Sequence, residues 1–439
     1  MKTPQKNVLT QRLQAVTATL ALCTFSTVAH SSETITEALK DGQMSANLQY
    51  RYESVRNPGK AVPNNADAQT VRLRLGYETA AFKYFRAMVE AEAVRTVFGG
   101  DKYDSKACTT ASGCTNYAVV ADPVSTELNQ AYLSYGGIPN TVAKWGRQRL
   151  ILDNARFVGN VGWRQNEQTF DAFTVVNDSL PSTKITVAHI SNVNRVFSDS
   201  AIVAATGVQS TGAFGGNHKM SSDILNVNYK GWSRAELVGY AYLLDYDVSS
   251  GFTANSTDTY GFRANGKTPV GSNKLLYTAE FATQSNAKLN NAVNYRVDYS
   301  FLEAGLDVTS AVFKLGYEVL GSNGNTATSK SFSTPLATLH AFNGWADLFL
   351  TTPARGLKDT YVSAGTTLVG VKLGAAYHDF RADKADATVS SYGTEWDLVA
   401  SKTFDTNYTI GAKLAQFSTK LPATYANTNK FWVWAEAKF

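Results

Sequence analysis

Beyond its first thirty residues the chain has no apolar run approaching the ~20 residues that a membrane-spanning helix needs, so no helix of it can cross a bilayer. Cysteine is scarce, with three in 439 residues: Cys23, Cys108 and Cys114. A metal pair at Cys108 and Cys114 would need further ligands, yet His189, His218, His340 and His378 all lie far along the chain. In an exported protein two such cysteines in a polar stretch are expected to join as a disulfide. An excess of one charge is missing too. The 41 Lys and Arg against 36 Asp and Glu give +5, which drops to about +2 without Lys2, Lys6 and Arg12, so no field for nucleic acid is implied. Nothing calls for a cofactor.

What is present points to export. Lys2, Lys6 and Arg12 precede an apolar stretch from Leu13 to Val28 and small residues around Ala29, the layout of a secretory signal over residues 1–31, cleaved after Ala29 or Ser31. Cys23 follows Leu22, too large for a lipoprotein cleavage site, so lipid anchoring there is not expected. The other end is a strand in which Phe431, Val433, Ala435, Ala437 and Phe439 alternate with Glu436 and Lys438. That pattern suits a sheet with lipid on one face and water on the other. Its aromatic terminus, Phe439, resembles the assembly signal of bacterial outer-membrane barrels. With 44% hydrophobic residues, 22 Tyr, 22 Phe and 32 Gly, the chain has the content of aromatic girdles and turns.

Period-2 segments recur from Asn47 onward, beginning near Thr70, Tyr84, Glu127, Thr141, Gln168, Thr183, Ser221, Arg234, Asp258, Lys274, Asn294, Ala311, Thr360, Val371, Tyr392, Asn407 and Lys430. Tight connections such as 80–83, 136–140, 179–182, 230–233 and 403–406 alternate with long ones. The expected fold is therefore an all-β transmembrane antiparallel barrel of about eighteen strands, with short periplasmic turns and long extracellular loops. Sixteen stays open, because the segments near Asp258 and Asn294 alternate poorly. The domain expectation is a periplasmic segment at 32–46 and a barrel over 47–439, with an inward loop at 321–359.

Parity assigns the lumen. In 70–78 the even positions carry Arg72, Arg74 and Glu78, and in 85–93 the inward set is Arg86, Glu90 and Glu92. An antiparallel register across the turn at 80–83 would set Arg86 by Glu78, Glu90 by Arg74 and Glu92 by Arg72. This is either a ladder that holds the wall or a charged pore lining. Arg147 and Arg149 are also turned inward, since an Arg facing mid-bilayer lipid costs ~2–4 kcal/mol.

Three stretches, Gly146-Arg147-Gln148, Arg156 to Ala172 and His340 to Asp359, make the chain similar to the alginate-export family of outer-membrane porins. The resemblance extends from about Asn47 to Phe439. It implies a monomeric 18-stranded channel whose arginine-rich lumen passes an anionic polysaccharide or another small anionic solute, without fixing which. Ten arginines between Arg51 and Arg164 support an anion route, while interleaved glutamates leave room for a transverse field. Arg156, Trp163, Arg164 and Glu167 in one loop, and His340, Asn343, Trp345, Asp347 and Arg355 in another, are candidates for a constriction. Loop packing is the alternative role for them. The expected partners are outer-membrane lipid, lipopolysaccharide and the barrel assembly machinery. Two other functions compete: a barrel enzyme with a Ser-His pair on its outer wall, for which neither His189 nor His378 has a nucleophile motif, and a soluble β-sandwich that binds glycans.

Overall fold

In the computed structural model the described residues are 32–58, 64–105, 117–198, 202–203, 208–209, 215–287 and 294–439. The signal stretch 1–31 and the expected Cys108–Cys114 bridge lie outside them. Eighteen strands form one sheet. They are β1 (Gln43–Arg56), β2 (Ala66–Glu78), β3 (Phe85–Lys102), β4 (Ser125–Ile138), β5 (Thr141–Gln148) and β6 (Thr169–Asn177). Next come β7 (Thr183–Asn194), β8 (Asn217–Tyr229), β9 (Ala235–Leu244), β10 (Thr257–Val270), β11 (Asn273–Asn286) and β12 (Arg296–Val308). The last six are β13 (Ala311–Leu320), β14 (Leu357–Leu368), β15 (Val371–Arg381), β16 (Ser391–Phe404), β17 (Tyr408–Thr419) and β18 (Thr428–Lys438). A separate two-stranded ribbon joins Ile202–Val203 to Val208–Gln209.

Each strand pairs antiparallel with its sequence neighbour, and β18 pairs with β1 from Asn47 opposite Lys438 to Arg56 opposite Asn429. The sheet is closed, so within it no strand edge faces lipid. The segments near Asp258 and Asn294, doubtful from their alternation, form β10 and β12, of 14 and 13 residues. The first strand begins at Gln43, ahead of the Asn47 expected from sequence. Before it a short helix, α1 (Ile35–Lys40), is set by a capping box in which Thr34 accepts from the Glu37 amide and Glu37 accepts from the Thr34 amide.

Tight turns lie at one end of the barrel. Several use left-handed residues to reverse the chain, for instance Lys83 and Tyr84 at φ 48° and 71°. At this turn the expected register fails. Arg74 stands opposite Glu92 and Gly76 opposite Glu90, two residues away from the predicted pairing, and Glu78 faces Met88 instead of Arg86. The cause is local: the hairpin tightens at Phe82 and Phe85, whose backbones exchange hydrogen bonds at 2.9 Å, while Ala80 and Ala81 bond to Ala38 and Ser32 of the N-terminal segment. The reversal thus sits beyond the 80–83 turn read from the sequence, and the opposing strand moves with it.

Alternation holds along the wall. Outward positions carry exposed Leu73, Leu75, Val89, Phe173, Phe281, Leu302, Phe313 and Trp396, while inward ones carry Arg72, Glu92, Glu280, Glu318 and Asp397, each less than 9% exposed. The exposed apolar residues form the surface that a membrane covers, and the interior is polar. Phe439 closes the seam by exchanging two backbone hydrogen bonds of 2.9 Å with Ala46. Deleting Phe439 removes both and should lower the fraction of chain that reaches the heat-modifiable folded form in the outer membrane; an unchanged fraction would show that closure does not depend on it.

Candidate functional site

Two loops from the long-connection end, 149–168 and 321–356, are bonded to residues that face the interior. On the β1–β4 side the inward strands present Arg51, Arg72 and Arg74. They are 1%, 2% and 9% exposed, because the 149–168 loop lies over them. Arg72 donates to the carbonyls of Arg164 and Gln165, at 3.2 and 3.4 Å.

Glu167 is the centre of this wall. Its carboxylate accepts from Arg149 Nε at 2.6 Å, from Asn129 at 2.5 Å and from Asn160 at 2.7 Å, and stands 3.6 Å from Arg74. Burial opposes its ionisation, but Arg74 and Arg149 outweigh burial and hold it down to about 2. Arg74 is also bonded to Glu92, and Arg149 to Glu90 at 2.5 Å.

A second centre joins the two loops. Asp347 receives Arg164 at 3.0 Å, Lys430 at 2.7 Å and His340 Nδ1 at 2.7 Å. Arg164 also reaches Glu53 at 2.8 Å and Asp122 at 3.7 Å. The proton on His340 can be placed from its neighbours: Lys413 Nζ lies 3.1 Å from Nε2 and can only donate, so Nε2 is the acceptor and Nδ1–H points at Asp347. Burial pushes this imidazole down to about 3, and Lys413 adds to that against the pull of Asp347. Lys413 is held between the rings of Trp163 at 3.9 Å and Trp345 at 4.0 Å, and Trp163 stacks on His340 at 4.8 Å.

The opposite wall is acidic. Arg156 crosses to it, donating to Glu318 at 2.7 Å and Asn343 at 3.1 Å, and Asn343 donates to Glu318 and Asp359 at 2.6 and 3.2 Å. The amides of Trp345 and Ala346 bond to Asp397 and Glu395 at 3.2 and 2.7 Å. Gly344, at φ 81°, lets the loop come this close, since an added Cβ would stand 2.6 Å from the Glu395 carboxylate.

Of the residues picked from the sequence, Arg72, Arg74, Glu90, Glu92 and Arg149 meet on one wall with Glu167, while Arg156, Trp163, Arg164, His340, Asn343, Trp345 and Asp347 knit the loops together. Glu78 lies toward the tight-turn end, where it accepts from Tyr132 Oη at 3.3 Å, and Arg86 occupies an inward position nearby on β3. Arg355 is apart from the site, paired with Asp386 of the 382–390 loop. Arg147 corrects an expectation. It faces outward, on the side of exposed Trp145 and Phe173, bonded to Asp171 at 2.8 Å and to Leu128 O at 3.0 Å. Alternation runs unbroken through β5, with Trp145 and Arg147 outward and Gln148 inward; past the end of β5 Arg149 also turns inward, to Glu90 and Glu167. The pairing with Asp171 reduces the cost of an outward guanidinium.

Arg51, Glu53, Lys413 and Lys430 were missed, although parity places all four inward. Asp122 sits in an aperiodic loop and leaves no such signal. On the outer wall His189 Nδ1 lies 2.8 Å from Asp223, but Ser191 on the same face donates its hydroxyl to Asp171 O, so it is not poised as a nucleophile.

A closed antiparallel barrel of eighteen strands with a polar interior and an apolar exterior is that of a Gram-negative outer-membrane porin. The chain belongs to the alginate export family, whose sequence profile matches residues 41–311, more than half its length. That match ends before the His340–Asp359 stretch. No curated protein matches the sequence. Among solved structures the chain is similar to OccAB4 of Acinetobacter baumannii, with TM-score 0.68 and 12% identity over 94% of this chain and 99% of that one. It is similar also to OpdK of Pseudomonas aeruginosa, solved with vanillate, with TM-score 0.66 and 12% identity over 91% and 99%. At such identity these likenesses establish the fold.

The His340 anchor has a pH dependence whose sign is fixed. A free imidazole takes up its proton near 6.5, whereas the folded one stays neutral down to about 3. Its contribution to holding the loop is therefore complete above pH 6.5 and falls away as pH drops from 6.5 toward 3. Limited proteolysis of the 321–356 loop in detergent-folded protein should accelerate over that window, and His340→Gln, which keeps one donor and one acceptor, should flatten the response.

Proposed function

We propose that this porin carries small hydrophilic solutes bearing a carboxylate along the wall of Arg51, Arg72, Arg74 and Arg149. The observation that carries this reading is the convergence of Arg74, Arg149, Asn129 and Asn160 on the single carboxylate of Glu167. Guanidinium forks and amide donors set around two oxygens form a carboxylate seat, which the protein's own side chain fills at rest. Asp347 fills a second such seat between Arg164, Lys430 and His340.

A solute carboxylate that exchanges with these side chains moves from one cationic partner to the next without standing unpaired in the lumen. The vanillate in the OpdK structure is an anion of this chemical kind. A polysaccharide rich in carboxylates would meet the same wall, but needs the two loops to leave the lumen first. In this reading the barrel acts as a monomer, is delivered by the barrel assembly machinery and passes solutes without transforming them. The roles of Arg72, Arg74, Glu90, Glu92, Arg149 and Glu167 as lining, and of the 321–356 loop as constriction, belong to the same proposal.

Single-channel recording under a salt gradient tests it. Glu167→Gln leaves Arg74 and Arg149 with less negative charge to balance them, so the reversal potential should shift toward anion permeation, most clearly at low salt where screening is weakest. A variant that folds and keeps the parent's permeability ratio would dismiss the arginine wall as the selective element. Removing 323–354 while keeping the strands should raise conductance, and an unchanged conductance would show that this loop does not limit flow.

A further inference from the structure

The lipid-facing wall is unevenly padded over β10 to β14. Two neighbouring outward rungs read Ala264, Ala279, Leu302, Tyr317 and Thr360 in one, and Tyr277, Ala304, Leu315 and Val362 in the other. Ala279 and Ala304 form a floor, and Tyr277, Leu302, Leu315 and Tyr317 rise around it. They bound an open trough of about 500 Å³. Leu302 and Leu315 are 59% and 56% exposed, so their side chains stand clear of the sheet and present apolar surface to the trough.

An apolar concavity of this size does not hold a lone ordered water, whose share of volume is about 30 Å³ and which needs polar partners. In a membrane wall an acyl chain is the available occupant. The polar end of that occupant is marked as well. Tyr277 stands four residues into β11 from the tight turn at Gly271, about 13 Å along the strand at 3.3 Å per residue, and its hydroxyl donates to the Arg234 carbonyl at 2.5 Å. This ties the trough to the neighbouring tight turn 230–234, where Arg234 is exposed and Trp232, 50% exposed, supplies an interfacial aromatic, while Lys230 is turned to Glu236 at 3.6 Å. A guanidinium beside an aromatic residue at the foot of an apolar trough complements a phosphate attached to a fatty chain.

The geometry points to a seat for one phospholipid of the periplasmic leaflet, with an acyl chain in the Ala279–Ala304 trough and its phosphate at Arg234. The seat is separate from the lumen and independent of which solute passes through it.

The full barrel in nanodiscs, doped with a phosphatidylglycerol that carries a photoactivatable diazirine on one acyl chain, provides the test. Cross-links mapped by mass spectrometry should fall on Tyr277 to Ala279 and Leu302 to Leu315 several-fold more often than on the outward residues Leu73, Leu75 and Val89 across the barrel. Ala279→Trp should abolish this excess while keeping heat-modifiable migration, and Arg234→Gln should reduce the preference for phosphatidylglycerol over phosphatidylcholine. The wild-type map stands alone if a variant fails to fold. Labelling spread evenly around the wall would overturn the proposal, as would a stable dimer whose copies cross-link to each other through this trough.

Discussion

A guanidinium taken out of water costs several kcal/mol unless a carboxylate meets it, and this requirement determines where the loops of the barrel lie. Arg51, Arg72 and Arg74 are drawn inward because the outward face must be apolar, and the counter-charges on their own strands are too few. Arg72 meets Glu436 of β18, whereas the loops bring Asp122 to Arg51 and Glu167 to Arg74. Arg156 does the same in reverse, bringing a cation to Glu318 on the acidic wall. The loops are thus held by the electrostatic deficit of each wall as much as by hydrophobic packing around Phe157 and Phe332. Removing one partner from such a buried pair costs about 3–5 kcal/mol, since the other is left uncompensated.

The proposed carboxylate route couples selectivity to rigidity. In it a solute carboxylate competes with Glu167 or Asp347 for partners that also fix the loops, so recognition and loosening are one event seen from two sides. The stacked Trp163, His340 and Lys413 cluster adds a brake, because moving Asp347 away leaves the His340 Nδ1 proton without its acceptor.

Much of this was legible in the sequence because β-structure in a membrane is read by a period of two. Parity gave eighteen strands, the inward side of β2 and β3, and the seam between β1 and β18. It failed where the backbone stops being regular. Arg74 pairs with Glu92 in place of the expected Glu90 because Ala80 and Ala81, ahead of the turn at Lys83 and Tyr84, are tethered to the N-terminal segment, which strand periodicity does not report. Arg149 turns inward because β5 ends before it, while Arg147 follows the regular alternation outward, where Asp171 offsets the lipid cost. The loop contacts were the least legible: His340, Asn343 and Asp347 stood out as a motif, but their partners Arg156, Arg164, Lys413 and Lys430 lie tens to hundreds of positions away, and nothing local in the chain records which wall each loop will reach. Asp122, in an aperiodic stretch, gave no signal at all.

The seam between β1 and β18 also bears on how the molecule comes to exist. The side chains of Asn47 and Glu436 are hydrogen-bonded across 389 positions, and every other strand of the sheet lies between them in the chain. All those hairpins can form while the sheet is still an open, curling ribbon with two bare edges. Closing it is a search over nearly the whole polypeptide, entropically expensive and late. During that interval the unpaired edges of β1 and β18 can recruit a strand from a second molecule as readily as they recruit each other. The closing step therefore competes with misassembly, and the rate at which β18 finds β1 determines the yield of finished barrels.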